Sequence, residues 1–213
     1  MKKKVIVYVD GFNFYFGLRS MGWKCYYWLD LVKFFEMFMD DDKELVYVRY
    51  FTSQPKHNQG KNRRQAAFLT ANKLNPKFKV HLGTFVAKKD PATLVESGYE
   101  EKMIDVKIAL SLISDKLDDL CDISFLVSGD TDQVPAIVML QEMDAKHGYF
   151  AAFPPNRASN ELKSLSDAHF YLERYENRFR KCLLPETIQI QKGRVIYCPP
   201  KWLKPHANSE EVK

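Results

Sequence analysis

The run Ile123-Ser-Phe-Leu-Val127, followed at once by Ser128-Gly129-Asp130-Thr131-Asp132, is the most informative stretch of this 213-residue chain. A short apolar run that ends in a glycine-containing turn is typical of a strand buried in a parallel sheet, and the residues after it follow a helical pattern. Ligand sites in open parallel sheets form outside the carboxyl ends of strands. Two carboxylates at such an edge can converge on a hard cation such as Mg²⁺.

The N-terminus repeats this arrangement, because the apolar run Val5-Ile-Val-Tyr-Val9 leads directly into Asp10-Gly11-Phe12-Asn13. Two strand ends therefore carry carboxylates, and they are the main functional signal in the sequence. Several aromatic residues follow the first strand closely: Phe12, Phe14, Tyr15 and Phe16. Aromatic side chains near a cleft can stack on nucleic-acid bases, but packing of a first helix explains these residues better.

Composition indicates a folded chain, with 46% hydrophobic and 14% aromatic residues, and the formal net charge is only +5. The distribution of charge is more informative, because the segment Gln54–Lys89 contains nine Lys or Arg and no Asp or Glu. Such a stretch can contact phosphates, or it can simply be a solvated surface. Both interpretations stay open at this point.

The four cysteines lack the spacing of a metal site or a redox motif, which favours a reduced, cytoplasmic protein. The apolar run after the basic N-terminus is too short for a signal peptide, and no stretch approaches the length of a membrane span. No membrane association is expected. No GxGxxG or Walker A run occurs, so a nucleotide-cofactor enzyme has little support.

Strand and helix patterns alternate up to about Glu173. Further strands are expected at about Leu45–Phe51, Lys79–Ala87, Tyr149–Phe153 and His169–Leu172, and the longest helices at about Gly60–Leu74 and Glu100–Leu117. This alternation predicts a three-layer α/β/α, doubly wound fold with a mainly parallel sheet of five to six strands. The sequence thus divides into a domain over 1–173 and an extension over 174–213, with a hairpin that turns at Lys192-Gly193 and a frayed tail.

A third carboxylate stands out in the long helix. Ile104, Ile108 and Leu112 share one helical face, and Asp105 lies beside it. A carboxylate next to buried positions is costly unless it is paired or binds a metal. The helix dipole also favours an acid in the first turn, which is the simpler explanation for Asp105 taken alone.

Three motifs together resemble a known family. Val9-Asp10-Gly11-Phe12-Asn13, Glu101-Lys-Met-Ile-Asp105-Val106, and Ser128-Gly-Asp130-Thr-Asp132 with Pro135 are similar, in order and spacing, to the NYN domain. That domain is a branch of the PIN-like nuclease superfamily, and the match looks closest to its LabA/DUF88-like bacterial group. The stretch Ser159–Phe170 resembles the group's closing segment, so the resemblance covers roughly residues 3 to 173.

The resemblance implies a sheet ordered 3-2-1-4-5 and metal-dependent hydrolysis of RNA phosphodiester bonds. It implies that Asp10, Asp105 and Asp130 hold Mg²⁺ or Mn²⁺, and that Asp132 binds the metal directly or through water. Asn13 would orient a phosphate or a water bound to the metal. Oxygen ligands suit these two metals, and no cluster of His or Cys competes for the role.

The partner expected from the resemblance is RNA, either single-stranded or structured. Five residues are candidates for contact with it: Ser128, Lys102, Arg63, Arg64 and Arg157. Ser128 has a second interpretation, in which its hydroxyl shapes the turn after the strand. Self-association as a homodimer is an option that the sequence leaves open.

Two positions depart from the family pattern. Ser111 stands where the helix often carries a further acid, and Gln133 replaces an aromatic residue after the Ser128–Asp132 motif. These departures favour an alternative function, a catalytically weak or inactive RNA-binding or regulatory module with the same fold. A metal-dependent phosphatase acting on a small molecule is a third possibility, since it needs the carboxylates but not the basic segment.

Overall fold

A computed structural model describes residues 1–54, 58–89, 96–190 and 193–203; the side chains of residues 87–89 and 96–101 fall outside this description. The strands are β1 (Lys3–Asp10), β2 (Lys43–Thr52), β3 (Phe78–Leu82), β4 (Thr84–Lys89), β5 (Glu96–Lys102), β6 (Ile123–Val127), β7 (Gly148–Phe153), β8 (Ala168–Tyr171), β9 (Thr187–Gln189) and β10 (Val195–Tyr197). The α-helices are α1 (Gly11–Ser20), α2 (Leu31–Glu36), α3 (Gln59–Asn72), α4 (Ile104–Leu117), α5 (Val134–Met143), α6 (Asn160–Leu165) and α7 (Glu176–Lys181). None of the helices within these ranges has the length and apolar character that crossing a lipid bilayer requires.

The main sheet has six parallel strands in the order β3-β2-β1-β6-β7-β8. The predicted order 3-2-1-4-5, with a sixth strand at the edge, is therefore confirmed. β1 and β6 are neighbours, with Val9 paired to Val127. The strand order reverses at this pair, and parallel strands bring their carboxyl ends to one edge. The turns that follow β1 and β6 therefore meet there.

Helices cover both faces of the sheet, as the alternating pattern predicts. Successive side chains of a strand point to opposite faces, and β1 follows this rule. Val5, Val7 and Val9 belong to a core shared with α1, α2 and α3. Ile6 and Tyr8 belong to a second core shared with α4, α5 and α6. Because both faces are covered, residues 5–9 are fully buried, which explains why the strand reads as a continuous apolar run.

The C-terminal hairpin is confirmed, with β9 antiparallel to β10. This segment packs into the first core, since Phe179 is fully buried there and Ile196 and Cys198 are buried in the same core. Trp28 Nε1 also donates a hydrogen bond of 2.9 Å to the carbonyl of Pro185. The division between 1–173 and 174–213 stays a prediction. Lys192 of the predicted turn and residues 204–213 of the predicted tail lie outside the described residues.

One predicted segment is wrong in detail. The expected strand Lys79–Ala87 is two strands, because the chain leaves the sheet at Gly83 and β4 pairs with β5 as an antiparallel hairpin. A Cβ atom at Gly83 would lie 2.6 Å from Ser53 Oγ and 2.8 Å from the carbonyl of Lys102. The two ends of the hairpin thus cross closely where only glycine fits. Because β5 extends to Lys102, α4 begins at Ile104 and not near Glu100.

Candidate metal centre

Asp10 is the last residue of β1 and the N-cap of α1. Its Oδ1 accepts hydrogen bonds from the amides of Phe12 (3.1 Å) and Asn13 (2.9 Å), which would otherwise have no partner at the start of the helix. A Cβ at Gly11 would lie 2.6 Å from the carbonyl of Phe51, so the tight turn requires glycine. Asp10 is thereby buried in a fixed orientation.

The turn after β6 holds Asp130 beside Asp10. The hydroxyl of Ser128, which is fully buried, donates to Asp10 Oδ2 at 3.1 Å and accepts from the amide of Asp130 at 3.1 Å. Asn13 Oδ1 accepts from the amide of Gly129 at 3.2 Å. The two strand-end turns are therefore joined to each other by side-chain hydrogen bonds. The position of Ser128 between two acids favours the turn-shaping interpretation of this residue.

Asp105 enters the site from the first turn of α4. The residue before the helix, Met103, has a φ of 79°, an uncommon left-handed conformation for a residue other than glycine. It marks the abrupt change from β5 to α4. From the other side, Gln133 Nε2 lies 3.4 Å from the carbonyl and 3.5 Å from Oδ1 of Asp105, so the buried amide supports this carboxylate.

Carboxylate oxygens of Asp10, Asp105 and Asp130 all lie within 4.8 Å of one another. Burial raises the pKa of Asp10 to about 6, with the negative charges of Asp105 and Asp130 as smaller contributions. Burial, followed by the charges of Asp130 and Asp132, also raises the pKa of Asp105. The site is a concentration of like charge that a cation would relieve.

The donor set fits a hard divalent cation. Three carboxylates that converge from three different elements are the oxygen ligands that Mg²⁺ and Mn²⁺ prefer. Asp132 lies outside this group of three and is exposed, although its charge reaches Asp105. Its amide donates to Asp130 Oδ1 at 3.0 Å, so it belongs to the same turn. Direct ligation by Asp132 stays a prediction.

The predicted RNA-contacting cations lie on segments other than those that carry the three carboxylates. Lys102 is exposed at the end of β5, three residues before Asp105, while Arg63 and Arg64 lie in the N-terminal half of α3. Arg157 is exposed, and a Cβ at Gly129 would lie only 1.7 Å from its carbonyl oxygen. The loop that carries Arg157 therefore rests directly on the turn that carries Asp130. Contacts of these residues with RNA stay predictions.

The two departures from the family pattern occupy different places. Gln133 is a support for Asp105, a role that the sequence did not indicate. Its Oε1 is buried and has no hydrogen-bond partner among the described residues. Ser111 faces away from the acidic group, since it lines a surface groove together with Arg49 and Asp115.

Sequence reasoning missed a second buried acid. Asp115 accepts two hydrogen bonds from the guanidinium of Arg49, one of them 2.6 Å long from Nε, and one of 2.8 Å from the hydroxyl of Tyr8. A signal for it was present, because Asp115 continues the buried helical stripe of Ile108 and Leu112. A charged residue in such a stripe predicts a buried partner.

Comparison with known proteins identifies the domain. The model of the NYN domain matches residues 4–173 of this chain. The chain belongs to the NYN domain family. This family is part of the PIN-like nuclease superfamily, so the predicted family is confirmed. NYN domains are generally nucleases and generally associate with RNA.

Individual relatives of this NYN protein are distant. A protein described as 6-hydroxy-3-succinoylpyridine 3-monooxygenase HspA, from Pseudomonas putida, is 24% identical over 92% of this chain and 74% of its own length. A solved structure of a protein of unknown function from Vibrio parahaemolyticus is 22% identical, with a TM-score of 0.57 over 79% of this chain and 92% of that one. This structural likeness shows the fold alone.

Proposed function

We propose that this NYN protein is a metal-dependent ribonuclease that hydrolyses RNA phosphodiester bonds at the carboxylates of Asp10, Asp105 and Asp130. The observation that carries the proposal is the convergence of three carboxylates within 4.8 Å at the switch point of a nuclease-like fold. Mg²⁺ or Mn²⁺ is the proposed cofactor, and a cytoplasmic location is proposed with it. Asp132 and Asn13 complete the proposed catalytic group.

The side chains of the centre are held in position by contacts within the protein. Asp10 is fixed by two backbone amides and by the hydroxyl of Ser128, and Asp105 is supported by Gln133. Such pre-organisation avoids reorganisation during the reaction. A divalent cation held by carboxylates neutralises phosphate charge and lowers the pKa of a water molecule. The protein's part is to present oxygen ligands in a fixed arrangement, with Asn13 and the surrounding cations orienting the RNA backbone.

RNA is the proposed substrate for two reasons. NYN domains are generally RNA-associated. Several segments also carry exposed or half-exposed cations that we propose as backbone contacts: Lys102, Arg63, Arg64 and Arg157. Cations near an acidic centre can bind the RNA backbone on either side of the reacting phosphate. Such contacts depend on charge and do not recognise the base sequence.

The experiment is a cleavage assay on labelled RNA with Mn²⁺, with Mg²⁺ or with EDTA. We expect cleavage by the wild-type protein with either metal and none in EDTA. Asp10→Asn and Asp130→Asn should each lower the rate at least about 1,000-fold, since each removes one of the three carboxylate ligands. Asp118→Asn is the matched control, because Asp118 is an exposed acid at the other end of α4, and this variant should cleave at the wild-type rate.

Equal cleavage by the wild type and Asp10→Asn, or cleavage that persists in EDTA, would contradict the proposal of a metal-dependent ribonuclease at these carboxylates. Tight RNA binding without cleavage in Mn²⁺ would instead support the regulatory module. The structure offers that module less support than the sequence does, because Ser111 lies apart from the carboxylates and Gln133 supports one of them. Parallel assays with single-stranded DNA and a generic phosphomonoester test substrate class, and turnover of the phosphomonoester alone would indicate a phosphatase.

A further arm concerns the Pseudomonas relative, whose name describes a monooxygenase acting on a pyridine. Incubation of the purified protein with 6-hydroxy-3-succinoylpyridine, oxygen and a reductant tests whether that activity extends to this chain. Loss of the pyridine in the wild-type protein, together with inactivity on RNA, would replace the ribonuclease proposal by an oxygenase one.

A further inference from the structure

Helix α1 carries aromatic residues on two faces, and only one of these faces points into the core. Phe14 and Leu18, four residues apart, are buried in the first core. Phe12 and Phe16 are also four residues apart, but helical geometry places them on the opposite face. Phe16 keeps 37% of its surface exposed, against 4% for Phe14. The outward face of a surface helix is usually polar, so two phenylalanines there need another explanation.

These rings form one connected surface. The ring centroids of Phe12 and Phe16 are 6.1 Å apart, and Phe85 of β4 packs edge-on against Phe12 at 5.7 Å. We call Phe12, Phe16 and Phe85 the aromatic platform. The contact between Phe12 and Phe85 joins α1 to the hairpin of β4 and β5. Both of these rings are only half-buried.

The platform borders the acidic centre. The amide of Phe12 donates to Asp10 Oδ1, so the first ring lies two residues from a proposed metal ligand. On the other side, the loop of Arg157 rests on Gly129, and the guanidinium carbon of Arg157 is 5.8 Å from the centroid of the Phe16 ring. Arg19 lies at a similar distance from the same ring, 5.9 Å. Aromatic surface and positive charge thus occur together beside the carboxylates.

We propose that the aromatic platform binds bases next to the reacting phosphate and thereby selects single-stranded RNA. This inference rests on the proposed ribonuclease function and specifies its substrate. Aromatic rings stack on any base with little sequence preference, and guanidinium groups add charge for the backbone and planar stacking. Bases in a duplex are paired and stacked inside the helix, whereas those of a single strand can turn outward onto a protein ring.

The test is equilibrium binding, measured by fluorescence anisotropy in Ca²⁺ with a short labelled RNA. Three forms of the RNA are compared: the single strand, its duplex, and the single strand with abasic positions. We expect the wild-type protein to prefer the intact single strand. Phe16→Ala and Phe12→Ala should each weaken that binding by about 10-fold, since they remove a stacking surface. Phe16→Trp should retain it, and the duplex and abasic forms should respond little to these changes.

Leu117→Ala is the matched control, because Leu117 is an exposed apolar residue of α4 on the opposite face of the sheet. It should bind like the wild type, and melting curves should show that all variants remain folded. Alanine variants that bind the single strand as tightly as the wild type would contradict the proposed role of the aromatic platform. They would not contradict the proposed ribonuclease function. Equal losses for single strand, duplex and abasic RNA would also overturn it. A wild-type protein that binds no RNA would contradict both proposals.

Discussion

Two buried acids in this protein have opposite surroundings. Asp115 lies between the guanidinium of Arg49 and the hydroxyl of Tyr8, so its counter-charge is part of the fold. Asp10 is held by backbone amides and a serine hydroxyl, and its charged neighbours are two further carboxylates. The first arrangement contains its own cation, while the second groups three carboxylates with one another. We therefore interpret Asp115 as a structural acid and the three grouped acids as the proposed ligand site.

Removing the built-in cation should have the largest effect on stability. Arg49→Met leaves Asp115 buried beside Tyr8 without its partner, and we expect a loss of about 3–5 kcal/mol in the free energy of unfolding. Urea denaturation measures this. Lys77→Met is the control, because its pair with Glu36 is surface-exposed and is expected to contribute less than about 1 kcal/mol.

The double variant Arg49→Met with Asp115→Leu sharpens this prediction. It removes both charges, so much of the lost stability should return. If Arg49→Met lowered the free energy of unfolding no more than Lys77→Met does, the buried charge of Asp115 would not depend on Arg49. The difference proposed between Asp115 and Asp10 would then be contradicted.

Removing a charge from the acidic centre should increase the free energy of unfolding, in contrast to the loss expected for Arg49→Met. Burial raises the pKa of Asp10 from 3.8 to about 6, so the folded state binds its proton more tightly than the unfolded state does. The stability contributed by this proton is present below pH 4 and is lost as the pH rises to 6, an effect of up to about 3 kcal/mol. Asp10→Asn removes the charge but keeps an acceptor for the helix cap. In EDTA at pH 7 we expect this variant to be more stable than the wild type by about 2 kcal/mol.

The measurement is the free energy of unfolding in EDTA as a function of pH. The wild type should lose stability between pH 4 and 6 relative to Asp10→Asn, and Asp118→Asn should follow the wild type. Parallel curves for the wild type and Asp10→Asn would show that burial and neighbouring charge do not raise the pKa of Asp10.

A smaller effect is expected at Gln133. Its side-chain amide supports Asp105 across a distance of 3.5 Å, and partners of metal ligands typically affect metal affinity by about 10-fold or more. Gln133→Leu keeps the buried volume and removes the amide, so we expect Mn²⁺ affinity to fall by about 10-fold while the melting temperature changes little. Unchanged affinity would mean that Asp105 is positioned by α4 alone.

Much of this comparison could be predicted from the sequence. Residues 5–9 and 123–127 are apolar except for Ser124, because helices cover both faces of the sheet, and this pattern identified the strands whose ends meet. The acids directly after them, and the family resemblance, then placed Asp10, Asp105 and Asp130 together, as the structure does.

Other parts depended on contacts between distant segments. The hairpin of β4 and β5 was missed because the sequence of β5, Glu96–Lys102, is polar and lacks an apolar alternation. The support of Asp105 by Gln133 needed the relative position of α4 and the turn after β6, which spacing along the chain does not give. The aromatic residues after β1 were expected to pack as part of a first helix, and the structure divides them: Phe14 is buried, Phe12 is half-buried and Phe16 is exposed. Only the helix phase separates these positions, since all three are the same residue type.

Calorimetric titration with Mn²⁺ near neutral pH tests whether the three carboxylates form a divalent-cation site. We expect saturable binding by the wild type and by Asp118→Asn, with affinity at least about 10-fold lower for Asp10→Asn and Asp130→Asn. Binding of equal affinity by the wild type and Asp10→Asn would contradict this expectation.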